Sequence, residues 1–148
     1  MKWILMLVLF SCASSNKETK SDLSFDTAMT DARTQYKFKK YIEAKKSLEE
    51  ISDSNLHPTQ LAEKYNLLGS IHFAQADYLK SKKYFIKSLD QNFQDEQLSS
   101  KIYLNIASVD YKLKDYSSAL NSIDKIGFLV LDDNDKMKFA NLKVAIGK

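Results

Sequence analysis

The stretch YNLLGSIHFAQADYLKSKKYFIKSL, Tyr65 to Leu89, decides the fold. Tyr65, Leu68 and Gly69 fall three and four apart, the spacing that puts side chains on one face of a helix. Asp77, directly before Tyr78, is an N-cap signal, so a second helix starts there. Gly69 and Ser81 lack bulk, which lets two helix axes approach closely where they face each other. Tyr78 and Phe85 then fill the space toward a neighbouring pair. Two further segments align without gaps on GSIHFAQADYLKSKKYFIKS from Gly69: ARTQYKFKKYIEAKKSLEEI from Ala32 and ASVDYKLKDYSSALNSIDKI from Ala107. The starts lie 37 and 38 residues apart. Each copy opens on a small residue, followed by an aromatic (Tyr36, Phe73, Tyr111), then a tyrosine (Tyr41, Tyr78, Tyr116). A second small residue (Ala44, Ser81, Ala119) and a large apolar one (Leu48, Phe85, Ile123) complete the pattern. A helical hairpin of this kind cannot bury its apolar face alone, so it must pack on its neighbours.

These residues resemble the tetratricopeptide repeat (TPR). YNLLGSIHFAQADYLKSKKYFIKSL carries that family's aromatic-x-x-Leu-Gly opening, its Asp-Tyr turn and its small–aromatic–small second helix. YLNIASVDYKLKDYSSALNSIDKI follows it closely; in the Ala32 copy, Ala28 replaces the opening aromatic and Lys40 the capping Asp. FANLKVAI, Phe139 to Ile146, looks like a lone first helix that caps the array. The resemblance implies an all-α fold: a right-handed α-solenoid of about three TPR-like hairpins plus a C-terminal capping helix, over residues 25–148. Departures are specific. The family period is about 34 residues, so the connections around DSNLHPTQ and NFQDEQ are longer here. Ala76 and Lys114 stand in place of the turn glycine, and Gln35, His72 and Asp110 stand where most copies carry an aromatic.

The bulk composition agrees with long helices. Of 148 residues only three are glycine and one is proline, 44% are hydrophobic and 28% charged. That scarcity of turn formers disfavours β folds. A net charge of +3 makes no case for nucleic acid. One cysteine excludes an internal disulfide, so the fold holds by packing.

The N-terminus carries an address. In MKWILMLVLFSC, Lys2 precedes an apolar run from Trp3 to Phe10. As a helix that run spans about 12 Å, short of a bilayer core of roughly 30 Å, so it reads as a secretory signal. Leu9-Phe10-Ser11-Cys12 resembles a bacterial lipobox, in which signal peptidase II cuts before the cysteine and lipid is attached to it. A thiolate is the side chain nucleophilic enough to take a diacylglyceryl group as a thioether. Residues 1–11 are thus expected to be a lipoprotein signal peptide. Residues 12–24 would then be the lipidated Cys12 and a flexible tether. Ala13, where an Asp would favour inner-membrane retention, points to the outer membrane facing the periplasm.

By the resemblance, the first helices of successive hairpins line a concave groove. Its positions map onto Arg33, Tyr36 and Lys37, then Asn66, Ser70 and Phe73, then Lys101, Asn105, Ser108, Tyr111 and Lys112. This groove is expected to be mildly basic, with an aromatic rail and with Asn66 and Asn105 free to bond a partner's backbone. The bland alternative has the aromatics packing on the next hairpin and the polar residues merely solvated. The family's clamp for chaperone C-termini is excluded, because Met29 and Leu67 occupy positions that need Lys and Asn. The expected partner is another protein or a peptide segment, with the membrane reached through the lipid anchor. The role is a protein–protein interaction scaffold in the bacterial cell envelope. The alternative is a structural subunit of an outer-membrane assembly, secretion or pilus-biogenesis complex.

Other features carry less. His57 and His72 have no second ligand at a metal spacing, and no cofactor is expected. His57-Pro58 reads as a helix start with proline in the first turn, and His72 as lying on a partly exposed face. Asp132 to Asp135 lacks the glycine and distant glutamate of a calcium loop and reads as helix capping. No Gly-rich phosphate loop, G-x-S-x-G elbow or H-E-x-x-H occurs, so an enzyme is not expected. Lys80, Lys82, Lys83 and Lys87 read as a solvated basic face.

Overall fold

The computed structural model describes residues 20–147, with side chains from Ser24 onward. The expected lipidation site Cys12, the expected signal segment and the first part of the expected tether lie outside the described residues. Among the described residues every regular element is helical. The α-helices are α1 (Lys20–Lys37), α2 (Tyr41–Glu49), α3 (Pro58–Ala74), α4 (Tyr78–Leu89), α5 (Glu96–Lys112), α6 (Tyr116–Ile123) and α7 (Asp133–Ile146). Short 3-10 turns at Asp53–Asn55 and Phe128–Val130 sit in two connections. The helix α1 is already formed at Lys20, ahead of the expected start at Phe25, because extending a nucleated helix adds one hydrogen bond per residue ordered. Likewise α7 begins at Asp133 rather than Phe139, with Asp132 accepting the Asp135 backbone N–H at 2.9 Å.

Helices pack as α1 on α2, α3 on α4 and α5 on α6, then α4 on α5 and α5 on α7. The second pair is antiparallel in a fixed register. Ser81 Oγ donates to Gly69 O at 2.8 Å, and Ser88 Oγ, further along α4, donates to Ala62 O, further back along α3. The small residues do what their spacing implies. Ala32, Ala44, Ser81, Ala107 and Ala119 are all 0% exposed. At Gly69 a Cβ would stand 2.6 Å from the Phe85 ring, so glycine is required by the close approach. The Ala32 and Ala107 copies oppose the smaller Leu48 and Ile123. Glycine with phenylalanine fills the volume that alanine shares with a branched aliphatic in the other pairs.

Each hairpin turns the same way. Lys39, Ala76 and Lys114 have φ of 60°, 60° and 63°. Around them run paired bonds: Lys40 N–H to Gln35 O at 2.8 Å, Asp77 N–H to His72 O at 2.9 Å and Asp115 N–H to Asp110 O at 2.9 Å. The residue in the left-handed conformation also bonds back to Tyr36 O, Phe73 O and Tyr111 O. This is a Schellman ending, which usually takes glycine. The aromatics close the same turns: Tyr36–Tyr41, Phe73–Tyr78 and Tyr111–Tyr116 have ring centroids 5.9, 5.5 and 5.8 Å apart.

Three apolar clusters follow the chain. The first joins Met29, Leu48 and Ile71 across α1–α3; the second joins Phe85 to Ile102, Ile106 and Val109 across α4 and α5. The third joins Leu104, Ile123, Leu131 and Leu142, seating α7 on α5 and α6. Each cluster lies at a junction where one hairpin covers the next, which is why no pair stands alone.

Two expectations are corrected here. His72 is 5% exposed and stacks on Tyr84 at 5.2 Å, with Asp77 at 3.4 Å from Nδ1. Burial pushes its imidazole below the usual range. Of the α4 lysines, Lys80 and Lys83 are exposed as expected, but Lys82 and Lys87 have partners. Lys82 Nζ meets the Oδ1 of Asp110 at 2.6 Å, and Lys87 Nζ lies 4.0 Å above the Tyr65 ring. Asp110 is 1% exposed and burial raises its carboxyl, while the ammonium draws it back. The contact is close but outside hydrogen-bond angles.

A candidate binding groove across four helices

Arg33, Tyr36 and Lys37 project from the second half of α1, and Asn66, Ser70 and Phe73 from α3. Lys101, Asn105, Ser108, Tyr111 and Lys112 project from α5. Tertiary packing brings all eleven onto one face, where they line three cavities that share walls. The largest, about 710 Å³, takes Arg33, Tyr36, Lys37, Asn66, Ser70 and Lys101. The second, about 490 Å³, takes Phe73, Ser108, Tyr111 and Lys112. A connecting hollow of about 150 Å³ is lined by Tyr36, Ser70, Phe73, Asn105 and Ser108. Both larger volumes fall in the range of small-ligand pockets.

The two halves differ in charge. In the larger cavity Arg33 donates to Glu63 at 2.7 Å, and Lys101 Nζ lies 3.2 Å from Asp135 and 3.8 Å from Asp132. Asp95 adds a further carboxylate to this wall. The expected basic surface is therefore largely neutralised there, by acids from α3, α5 and the start of α7. The second cavity has no acid in its walls: Lys112 and Lys138 stand among Phe73, Tyr111, Met137 and Leu142.

The expected free amides are engaged. Asn105 Nδ2 donates to Asn66 Oδ1 at 3.0 Å, and Lys138 Nζ donates to Asn105 Oδ1 at 2.7 Å. These bonds run from α3 through α5 to α7 and tie the groove floor across three helices. Ser108 is 8% exposed, not exposed as expected, and its hydroxyl bonds Leu104 O at 2.8 Å; Ser70 does the same to Asn66 O at 3.0 Å. A serine turned onto its own helix in this way offers little to a ligand. The aromatic rail is half-buried. Its rings rest on the tyrosines of their own hairpins, and Tyr36, Phe73 and Tyr111 keep one edge in the cavities. Burial, reinforced by Tyr41, raises the Tyr36 hydroxyl.

Sequence reasoning missed Lys138, Glu63 and Asp135. Glu63 and Lys138 follow from no repeat position. Asp135 was visible as part of a capping cluster, but its 6% exposure and its bond to Lys101 depend on where α7 docks. Among the described residues no helix is long and apolar enough to cross a membrane. No protein-family model, curated protein or solved structure matches this chain.

Proposed function

We propose that this chain is a membrane-tethered helical-repeat scaffold of the tetratricopeptide type, with no enzymatic role, which binds another envelope protein through the α1–α3–α5–α7 groove. The single observation that carries the reading is the convergence of all eleven residues, chosen from a repeat pattern, on connected cavities of one face. Further support comes from the recurrence of the same small pair, aromatic pair and left-handed turn in three hairpins. On this reading the hairpins build a right-handed solenoid and Cys12 carries the lipid that holds it at the outer membrane, facing the periplasm.

A photo-reactive residue in place of Asn141, on the α7 wall of the groove, tests the proposal in whole cells. Cross-links to a discrete envelope protein are expected, and they should be lost in a Tyr111→Ala, Lys112→Glu variant. Cross-links that persist unchanged in that variant would remove the groove from the proposal. Recovery of a single stoichiometric complex would favour the structural-subunit role over the adaptor. Incorporation of a fatty-acid analogue that survives in Cys12→Ser would remove the anchor.

A further inference from the structure

Lys138 is a half-buried cation whose ammonium donates to a neutral amide. Its Nζ donates to Asn105 Oδ1 at 2.7 Å, and it forms no ion pair among the described residues. The charged groups that act on it do so from a distance: Asp135, already held by Lys101, and Lys101 itself. Lys112 adds a second cation to the same cavity, and the titratable Tyr36 and Tyr111 face the hollows on either side. Burying an ammonium without an anion is unfavourable, and burial lowers its proton affinity. The side chain nevertheless lines both the 490 Å³ cavity and the 150 Å³ hollow, where Phe73 and Leu142 supply apolar walls.

The opposite half of the groove differs in its charge balance. There Arg33 and Lys101 have carboxylate partners within the chain, and Lys37 shares the walls with four acids. A second anion would meet Glu63, Asp95, Asp132 and Asp135 in the same walls. Charge complementarity therefore singles out the α5–α7 half for an anion, and the apolar walls call for apolar neighbours on it.

Resting on the groove reading, we infer that the α5–α7 half binds an acidic side chain of the partner, flanked by apolar residues, with its carboxylate on Lys138. A charge-assisted bond in a partly desolvated site is about twice as strong as a neutral one. The flanking side chains then lie against Phe73, Tyr111 and Leu142, and the inference fixes which end of an extended ligand sits over α7.

The probe is the capped pentapeptide acetyl-Ala-Leu-Glu-Phe-Ala-amide, set beside its Gln analogue, the Gln analogue with a free C-terminus, and octanoate. Amide-shift titration of the full chain follows Asn105, Tyr111, Lys138 and Leu142. The Glu peptide is expected to bind at least about tenfold tighter than the Gln amide, the effect of one well-made charged contact. Lys138→Met should bring the two to parity with its melting temperature undiminished, and Lys138→Arg should keep the preference. Equal binding of the Glu and Gln peptides would overturn the inference and leave the groove intact. So would a Glu preference that survives in Lys138→Met. A stronger response to the free C-terminus or to octanoate would assign the site to a chain end or a fatty acid instead. No shift at any groove residue would remove the inference together with the groove.

Discussion

Inside the second hairpin, α3 and α4 meet over Gly69 and Ser81 with almost nothing between their backbones. Between the second and third hairpins, α4 and α5 meet over a buried carboxylate, Asp110, and the ammonium of Lys82. The two contacts are neighbours in space and follow different rules. The seam within a hairpin is governed by volume, because axes that cross closely tolerate only small residues. The junction between hairpins is built from larger side chains, and there a polar pair sits alongside the cluster of Phe85, Ile102, Ile106 and Val109. The connection from α2 to α3 has a similar polar lock. Lys64, 6% exposed, donates to Ile51 O at 2.6 Å and to Asp53 at 2.7 Å, and the Tyr65 hydroxyl donates to the same carboxylate. Asp53 is held below the usual carboxylate range by these bonds, although burial acts the other way and is the largest single influence. Volume repeats from hairpin to hairpin, whereas each polar junction is particular to its place.

The largest effect is expected at the junction. Lys82→Ala leaves Asp110 buried without its cation and should cost about 2–3 kcal/mol at pH 7, measured by chemical denaturation. Burial raises the Asp110 carboxyl, so the folded state binds its proton more tightly than the unfolded chain does. Its contribution is then greatest at acid pH and declines as pH rises from about 3.9 through the raised folded value. The loss in Lys82→Ala should accordingly shrink as pH falls toward 4 and Asp110 takes up its proton. A loss of the same size at pH 4 and pH 7 would show that the pair acts by packing alone.

At the seam the effect is smaller and of another kind. Gly69→Ala gains helix propensity but drives a methyl into the Phe85 ring, for a net loss of about 1–2 kcal/mol. Adding Phe85→Leu to Gly69→Ala recreates the pairing seen at Ala32–Leu48. The double variant should cost less than the two single changes added, by about 1 kcal/mol. Simple additivity would mean that Gly69 and Phe85 are not sharing one volume.

The smallest effect lies in the turns, common to all three hairpins. Ala76→Gly removes a left-handed non-glycine residue and should stabilise by about 0.5–1 kcal/mol, read from the melting temperature. Lys39→Gly and Lys114→Gly should do the same independently, since their φ angles match and the turns are far apart. A destabilising outcome at any one would show that its side chain makes a contact worth more than the strain.

The seams and turns were legible in the chain because their causes are local or periodic. Small residues at Ala32, Gly69 and Ala107, tyrosines at Tyr41, Tyr78 and Tyr116, and capping acids at Asp77 and Asp115 follow from helix spacing and hydrogen-bond needs within one hairpin. The buried state of His72 was not legible, because it depends on Tyr84 stacking across α3 and α4. Nor was the fate of the α4 lysines: Lys82 lies on an outward helix face until α5 brings Asp110 beside it.

The candidate groove divides along the same line. Its eleven residues could be chosen from the tetratricopeptide resemblance, which implies the face that each repeat position occupies. Their charge balance could not. Glu63 finds Arg33 thirty positions away, and Lys138 finds Asn105 thirty-three away. Neither pairing has a counterpart in another hairpin. Periodic burial needs each helix only to present one apolar stripe, and a one-dimensional pattern records that demand. Whether a cation in the groove is neutralised or left seeking a partner depends on which helix docks beside it: α3 beside α1 for Arg33, and α7 against α5 for Lys101 and Lys138.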